Sequence, residues 1–128
     1  MSKRVNYASG AKWEKSVGYS RAVRKGHLIE VSGTVAILDG EIAGIGDAYV
    51  QTKRILDIIR DSIEALGGTL EDVVRTRMYV TDISNWEAVG RAHGEVFEEI
   101  QPATSMVEVS NLIDEKCLVE IEATAMVQ

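Results

Sequence analysis

Few side chains in this sequence have the type and spacing that chemistry needs. His27 and His93 are the only histidines and lie far apart, with no metal-ligand spacing around either. His93 falls on an apolar helical stripe and reads as a packed core residue. Cys117 is the sole cysteine and has no His/Asp partner motif, so a thiol nucleophile is not expected. Gly44-Ile45-Gly46 precedes a helix as a phosphate loop does, but it follows a hairpin and leads into Asp47, whose charge repels phosphate. What remains is an alternation: Arg75, Arg77 and Tyr79 in one segment, Glu120 and Glu122 in another. Opposite charges on adjacent strands pair across a sheet, and a carboxylate held in a cleft can orient and deprotonate water. Trp13 and Tyr19 add an aromatic pair suited to walling a small ligand, with packing against the protein surface the plainer role for Trp13.

The elements that must position these groups follow from periodicity. A helix is expected from about Asp47 to Leu66: Ala48, Ile55, Ile59, Ile63 and Leu66 form one stripe, Asp47 can cap its start, and Gly67-Gly68 can end it. A second is expected from about Asn85 to Glu99, with Trp86, Val89, His93, Val96 and Ile100 stepping by three and four. Ser84 with Glu87 reads as its capping box, and Pro102 stops the helix soon after. Strands are expected at 22–23 and 27–33 around Lys25-Gly26, at 35–38 and 41–43 around Asp39-Gly40, and at 73–81, 104–110 and 118–127. Trp13 and Tyr19 then fall in a loop before the first of these. The order predicts an α/β (α+β) fold: one mixed sheet with both helices on one face.

Alternation assigns the late strands two faces. Val74, Thr76, Met78, Val80, Val107, Val109, Val119, Ile121, Ala123 and Ala125 make an apolar set expected to meet the helices. Arg75, Arg77, Tyr79, Thr104, Met106, Glu108, Glu120, Glu122 and Thr124 make a mixed set. Such a face is either solvated or an interface between subunits in which arginines and glutamates pair.

Composition narrows the classes. The 128 residues suit one domain spanning the chain, and apolar and charged fractions of 45% and 27% are those of an ordinary globular protein. A net charge of −6, with no basic aromatic-lined groove, argues against nucleic-acid partners. One cysteine, no apolar run long enough to span a membrane, and a start without a signal-peptide core predict a cytoplasmic protein without membrane contact.

Ordered motifs then carry a resemblance. RTRMYVTDI at 75–83, PATSMVEVS at 102–110 and VEIEATA at 119–125 resemble signature strands of the reactive-intermediate (imine) deaminase family, also called RidA-like, YjgF-like or L-PSP endoribonuclease-like. Val31-Ser32-Gly33 resembles the family's early strand end, and Asp47, Gln51, Leu56 and Ala65-Leu66-Gly67 its first helix. The resemblance implies a chorismate-mutase-like fold and a homotrimer with small-molecule clefts between subunits. Active members hydrolyse imines of the 2-aminoacrylate type to keto acids and ammonia, with no cofactor or metal. It implies cleft positions for Tyr19, Ser32 and Met106, and for Glu122 a role in positioning the attacking water.

The family's carboxylate-clamping arginine follows Pro-Ala; here that position is Thr104. A hydroxyl cannot form the bidentate pair, and loss of such a clamp costs on the order of 2–5 kcal/mol. Weak or absent 2-aminoacrylate deaminase activity is therefore expected, and a cleft that prefers neutral or weakly polar ligands. Arg77 is the one compensating candidate; the alternative is a structural ion pair with Glu120 or Glu122. Thr104, Met106 and Glu122 are expected on one sheet face, converging with Tyr19 and Ser32 on one cavity. The competing readings are a non-catalytic ligand-binding or chaperone-like trimer, and an endoribonuclease-type activity.

Overall fold

The computed structural model describes residues 3–128. In chain order the elements are β1 (Arg4–Tyr7), α1 (Lys12–Val17), β2 (Ala22–Lys25), β3 (Leu28–Thr34), β4 (Ile37–Leu38), β5 (Glu41–Ile42), α2 (Ala48–Ala65), β6 (Val73–Val80), α3 (Trp86–Phe97), β7 (Ala103–Glu108) and β8 (Val119–Met126). Six strands form one sheet in the order β1-β2-β3-β8-β6-β7, and β4 and β5 form a separate ribbon. Only β6 and β7 run parallel, because α3 lies between them in the chain and carries it back to the same end.

α2 has the expected bounds. Asp47 accepts a hydrogen bond from the Val50 N–H at 3.0 Å, and Gly67 (φ 88°) ends the helix in a left-handed turn. Its stripe of Ile55, Ile59 and Ile63 is fully buried against β3 and β8, and α3 packs on α2. The core on the sheet side is Ile29, Val31, Val73, Met78, Val80, Val119, Ile121, Ala123 and Ala125.

Four expectations are corrected. Residues 4–7 and 12–17 form β1 and α1; both are too short to show periodicity, so Trp13 sits on a helix rather than in a loop. Ser84 does not cap α3: Asp82 accepts from both the backbone N–H and the hydroxyl of Ser84, at 2.9 and 2.7 Å. A carboxylate is the stronger acceptor, so the turn starts two residues earlier as a 3-10 segment, Ile83–Asn85. Val74 is turned out of the core and 48% exposed, because β6 carries an extra residue between Val73, paired with Ala125, and Arg75, paired with Thr124.

The fourth concerns β7. Its register pairs Thr104 with Thr76 and Met106 with Met78, so Thr104, Met106 and Glu108 point to the helix side of the sheet. Ser105 and Val107 share the open face with Arg77 and Tyr79. The strand therefore has the opposite parity from that expected. Val107 is 47% exposed; β7 is an edge strand, whose apolar residues do not report which side is the core.

Candidate functional site

The open face of the sheet gathers polar groups from three strands. Arg75, Arg77 and Tyr79 come from β6, Glu120, Glu122 and Thr124 from β8, and Glu30 and Ser32 from β3. Antiparallel register sets Arg77 opposite Glu122 and Tyr79 opposite Glu120. The pairs are then tied diagonally: the Tyr79 hydroxyl donates to Glu122 Oε1 at 2.8 Å, and Arg77 Nη1 approaches the same oxygen at 3.9 Å. The hydrogen bond to Glu122 raises the Tyr79 pKa above its ordinary value, with burial adding to it.

A bulge in β3 shapes the neighbouring wall. Val31 pairs with Ala123 and Thr34 with Ile121, leaving one extra residue between them. Ser32 sits in this bulge and its hydroxyl donates to the Ser20 carbonyl at 2.7 Å, so its lone pairs stay free to accept. At Gly33 a Cβ would lie 2.7 Å from Glu120 Oε2; the absent side chain is what lets that carboxylate fold down onto the strand. Burial raises the Glu120 pKa, Glu122 raises it further, and Arg21 opposes both. Arg21 also donates to the Gly33 carbonyl at 2.5 Å, stapling the bulge.

Between these walls lies a shallow pocket of about 300 Å³ lined by Glu30, Ser32, Arg77 and Glu122 with the apolar atoms of Val23, Val31 and Ala123. It holds one guanidinium against two carboxylates. Glu30 accepts from the Thr124 hydroxyl at 2.5 Å. A larger cavity, about 580 Å³, opens at the end of the sheet beside Lys3, Arg24 and His27. Its arginine is spent on structure: Arg24 donates to the Gly26 and Leu66 carbonyls at 2.9 and 2.8 Å, closing the end of α2. The smaller pocket therefore carries the more reactive set despite its size.

Within one chain the structure brings Ser32, Arg77 and Glu122 together and leaves the other expected residues apart. Arg77 meets Glu122, as the ion-pair reading expects, and also lines the pocket. Tyr19 lies in the loop before β2 with the Arg21 guanidinium 5.9 Å from its ring centre. Trp13 is 53% exposed under the Lys12 ammonium. Thr104 and Met106 are on the other side of the sheet from Glu122, so the single-face cavity expected for them is corrected by the parallel β6–β7 register. Thr104 Oγ1 instead lies 2.6 Å from Thr76 Oγ1, which lies 2.9 Å from His93 Nε2. Sequence reasoning missed that link because a histidine on an apolar stripe gives no sign of its partner. Arg21 was missed as well; its place two residues after Tyr19 is the signal the sequence offers.

No group of three or more His, Cys, Asp or Glu side chains that could hold a metal occurs among the described residues. Cys117 is buried, and burial pushes its thiol up to about 11, so it is no nucleophile at neutral pH. No helix among the described residues is long and apolar enough to cross a membrane.

Fold and site together define an α+β protein of the YjgF type: a mixed sheet, helices on one face, and a polar array on the other. The chain matches the family described as "Endoribonuclease L-PSP" over residues 10–127, and it belongs to that family. It is similar to Rv2704 of Mycobacterium tuberculosis, a member of the YjgF/YER057c/UK114 family, at 49% identity and TM-score 0.89, covering 98% of this chain and 100% of that one. A RutC family protein of Pyrococcus abyssi is 37% identical over 98% of each chain. The 3-aminoacrylate deaminase RutC of Acinetobacter baylyi is 29% identical over 85% of this chain and 86% of its own.

Proposed function

We propose that this chain forms a homotrimer in the cytoplasm and handles small neutral imines or enamines, or their carbonyl products, in clefts between subunits. The observation that carries this reading is the pocket where Ser32, Arg77 and Glu122 converge with one cation against two carboxylates. In the proposed trimer the β7 edge of one subunit, with Thr104 and Met106, closes over that pocket on the next, where Trp13 and Tyr19 lie on the β1–β2 side of the sheet. Such an assembly would also cover Leu28, Val107 and Met126, which are 38%, 47% and 48% exposed and share the open face with the charges.

The chemistry is hydrolytic. Glu122 orients a water and takes its proton as the oxygen attacks the C=N carbon. Glu122 passes that proton to the nitrogen, giving a carbinolamine. The carbinolamine hydroxyl then gives up its own proton, the nitrogen takes a second one as the C–N bond breaks, and a carbonyl compound and ammonia leave. Ser32 accepts or donates at the polar end of the ligand, and Arg77 balances the developing negative charge. No cofactor or metal enters this scheme. The pocket's excess of carboxylates also disfavours a phosphodiester, and so a ribonuclease role.

Light scattering at micromolar concentration should return a trimer mass; a monomer mass overturns the assembly. With 2-aminoacrylate generated in situ by a dehydratase, keto-acid release should be far slower than for an arginine-bearing relative, and an equal rate would overturn the neutral-ligand reading. Pyruvamide should bind more tightly than pyruvate, its charged isostere.

A further inference from the structure

Thr104 is exposed, yet its hydroxyl is engaged on its inner side. Oγ1 lies 2.6 Å from Thr76 Oγ1 and 3.1 Å from the Thr76 carbonyl oxygen. Thr76 is fully buried and Oγ1 lies 2.9 Å from Nε2 of His93, which is 8% exposed. The His93 ring packs on Phe97 with centroids 4.7 Å apart, which holds Nε2 toward the sheet. A chain of three side chains thus runs from a buried imidazole on α3, through β6, to the surface of the edge strand.

We infer that His93 is a positioning residue which, through Thr76, sets whether Thr104 offers a hydrogen or a lone pair to a neutral carbonyl or imine ligand at the β7 edge. Each hydroxyl has one hydrogen, so the chain has two directions. With Nε2 bare, Thr76 donates to it, Thr104 donates to Thr76, and only lone pairs of Thr104 face outward. With Nε2 carrying hydrogen, the imidazole donates to Thr76, Thr76 donates to Thr104, and the Thr104 hydrogen is freed from Thr76 Oγ1, left to the longer 3.1 Å contact with the Thr76 carbonyl or to a ligand that competes with it. Burial keeps His93 below its ordinary pKa, so the neutral ring holds one hydrogen and the choice is between tautomers. Among the described residues the ring's side-chain hydrogen bond is the one to Thr76, so no second partner locks the tautomer from the far side. A ligand that presents a carbonyl oxygen or imine nitrogen to Thr104 therefore selects the Nε2–H form.

This inference rests on the proposed reading only in placing a ligand at Thr104, and the test keeps the two apart. The full chain is labelled with ¹⁵N-histidine, and the Nδ1 and Nε2 shifts report the tautomer of His93. In the free protein, Thr76→Val should move both shifts, Thr76→Ser should restore them, and the exposed Thr104→Val should move them part of the way. Shifts unchanged by Thr76→Val overturn the hydrogen-bonded chain whatever the ligand. Saturating pyruvamide should then raise the Nε2–H population at least about twofold, since a ligand moves an equilibrium by its differential affinity for the two forms. Thr104→Val should abolish that change. Pyruvamide that perturbs the Ser32 and Glu122 amides but leaves the His93 tautomer unmoved overturns this inference and leaves the proposed function standing. Absence of pyruvamide binding at millimolar concentration overturns the neutral-ligand reading and the ligand-directed part of the inference with it.

Discussion

The two faces of the sheet are built from alternate residues of the same strands, and they answer to different physics. On the helix side, Ile29, Val80, Val119, Ile121 and Ala125 are wholly buried. One residue along, Glu120, Glu122 and Thr124 stand on the open side with Arg75 and Arg77. The first face is held by apolar area removed from water, which carries no charge to titrate or to screen. The second is held by long or shared polar contacts, such as the 3.9 Å approach of Arg77 to Glu122 with side chains 44% and 34% exposed. Stability should therefore reside on one side of each strand and chemistry on the other, at a spacing of a single residue.

Neighbouring substitutions in β8 give the strongest test. Ile121→Ala empties a fully buried site and should cost about 2–5 kcal/mol in denaturant unfolding. Glu122→Ala, the next residue, should cost less than about 1 kcal/mol while reducing any hydrolytic activity. Equal stability losses at the two positions would break the contrast.

A smaller loss is expected at Gly33→Ala. The new Cβ would lie 2.7 Å from Glu120 Oε2, so the carboxylate must swing out toward water, at a cost of roughly 1 kcal/mol. The displaced carboxyl should titrate closer to the ordinary 4.5 than the raised value it has under burial. Carboxyl ¹³C shifts of Glu120 read this directly, and an unmoved titration would mean that Gly33 does not control it.

His93 supplies the pH dependence of the buried side. Burial lowers its pKa from 6.5, so as pH falls the unfolded chain takes up the proton first. Stability should decline from the ordinary histidine range downward and level off below the lowered folded value. Urea unfolding across that window should show the slope in the native chain and lose it in His93→Phe. On the open side the sign differs. Tyr79 stands above 10 while bonded to Glu122, so Glu122→Gln should bring the phenol back down, seen by its ultraviolet titration.

The smallest expected effect is the ion pair itself. A double-mutant cycle on Arg77 and Glu122 should return a coupling below about 1 kcal/mol that fades with salt. A coupling of several kcal/mol would show the pair to be desolvated, as an interface between subunits would make it.

How far the sequence could be read is clearest at particular elements. α2 was legible from cap to end because its code is local: Asp47, a 3.6-residue stripe and Gly67 all lie within one stretch of chain. The open-face grouping of Arg77, Tyr79, Glu120 and Glu122 was legible too, since a central strand's alternation reports its two faces. β7 was not. Its Val107 and Val109 invited the wrong parity, and only parallel pairing with β6 shows Thr104 beside Thr76. The bulges at Val74 and Ser32 were equally silent, because an extra residue in a strand becomes visible only against its partner.

The sequence by itself determined α2 with both its ends, the places of the later strands and the family, all of which depend on residue identity and short-range spacing. Tertiary structure alone decided that Ser32, Arg77 and Glu122 share a pocket, that Glu120 lies over Gly33, and that His93 reaches Thr104 through Thr76. Each of those joins residues from different strands or from a strand and a helix. Strand register and helix docking set such distances, and no local pattern in the chain encodes them.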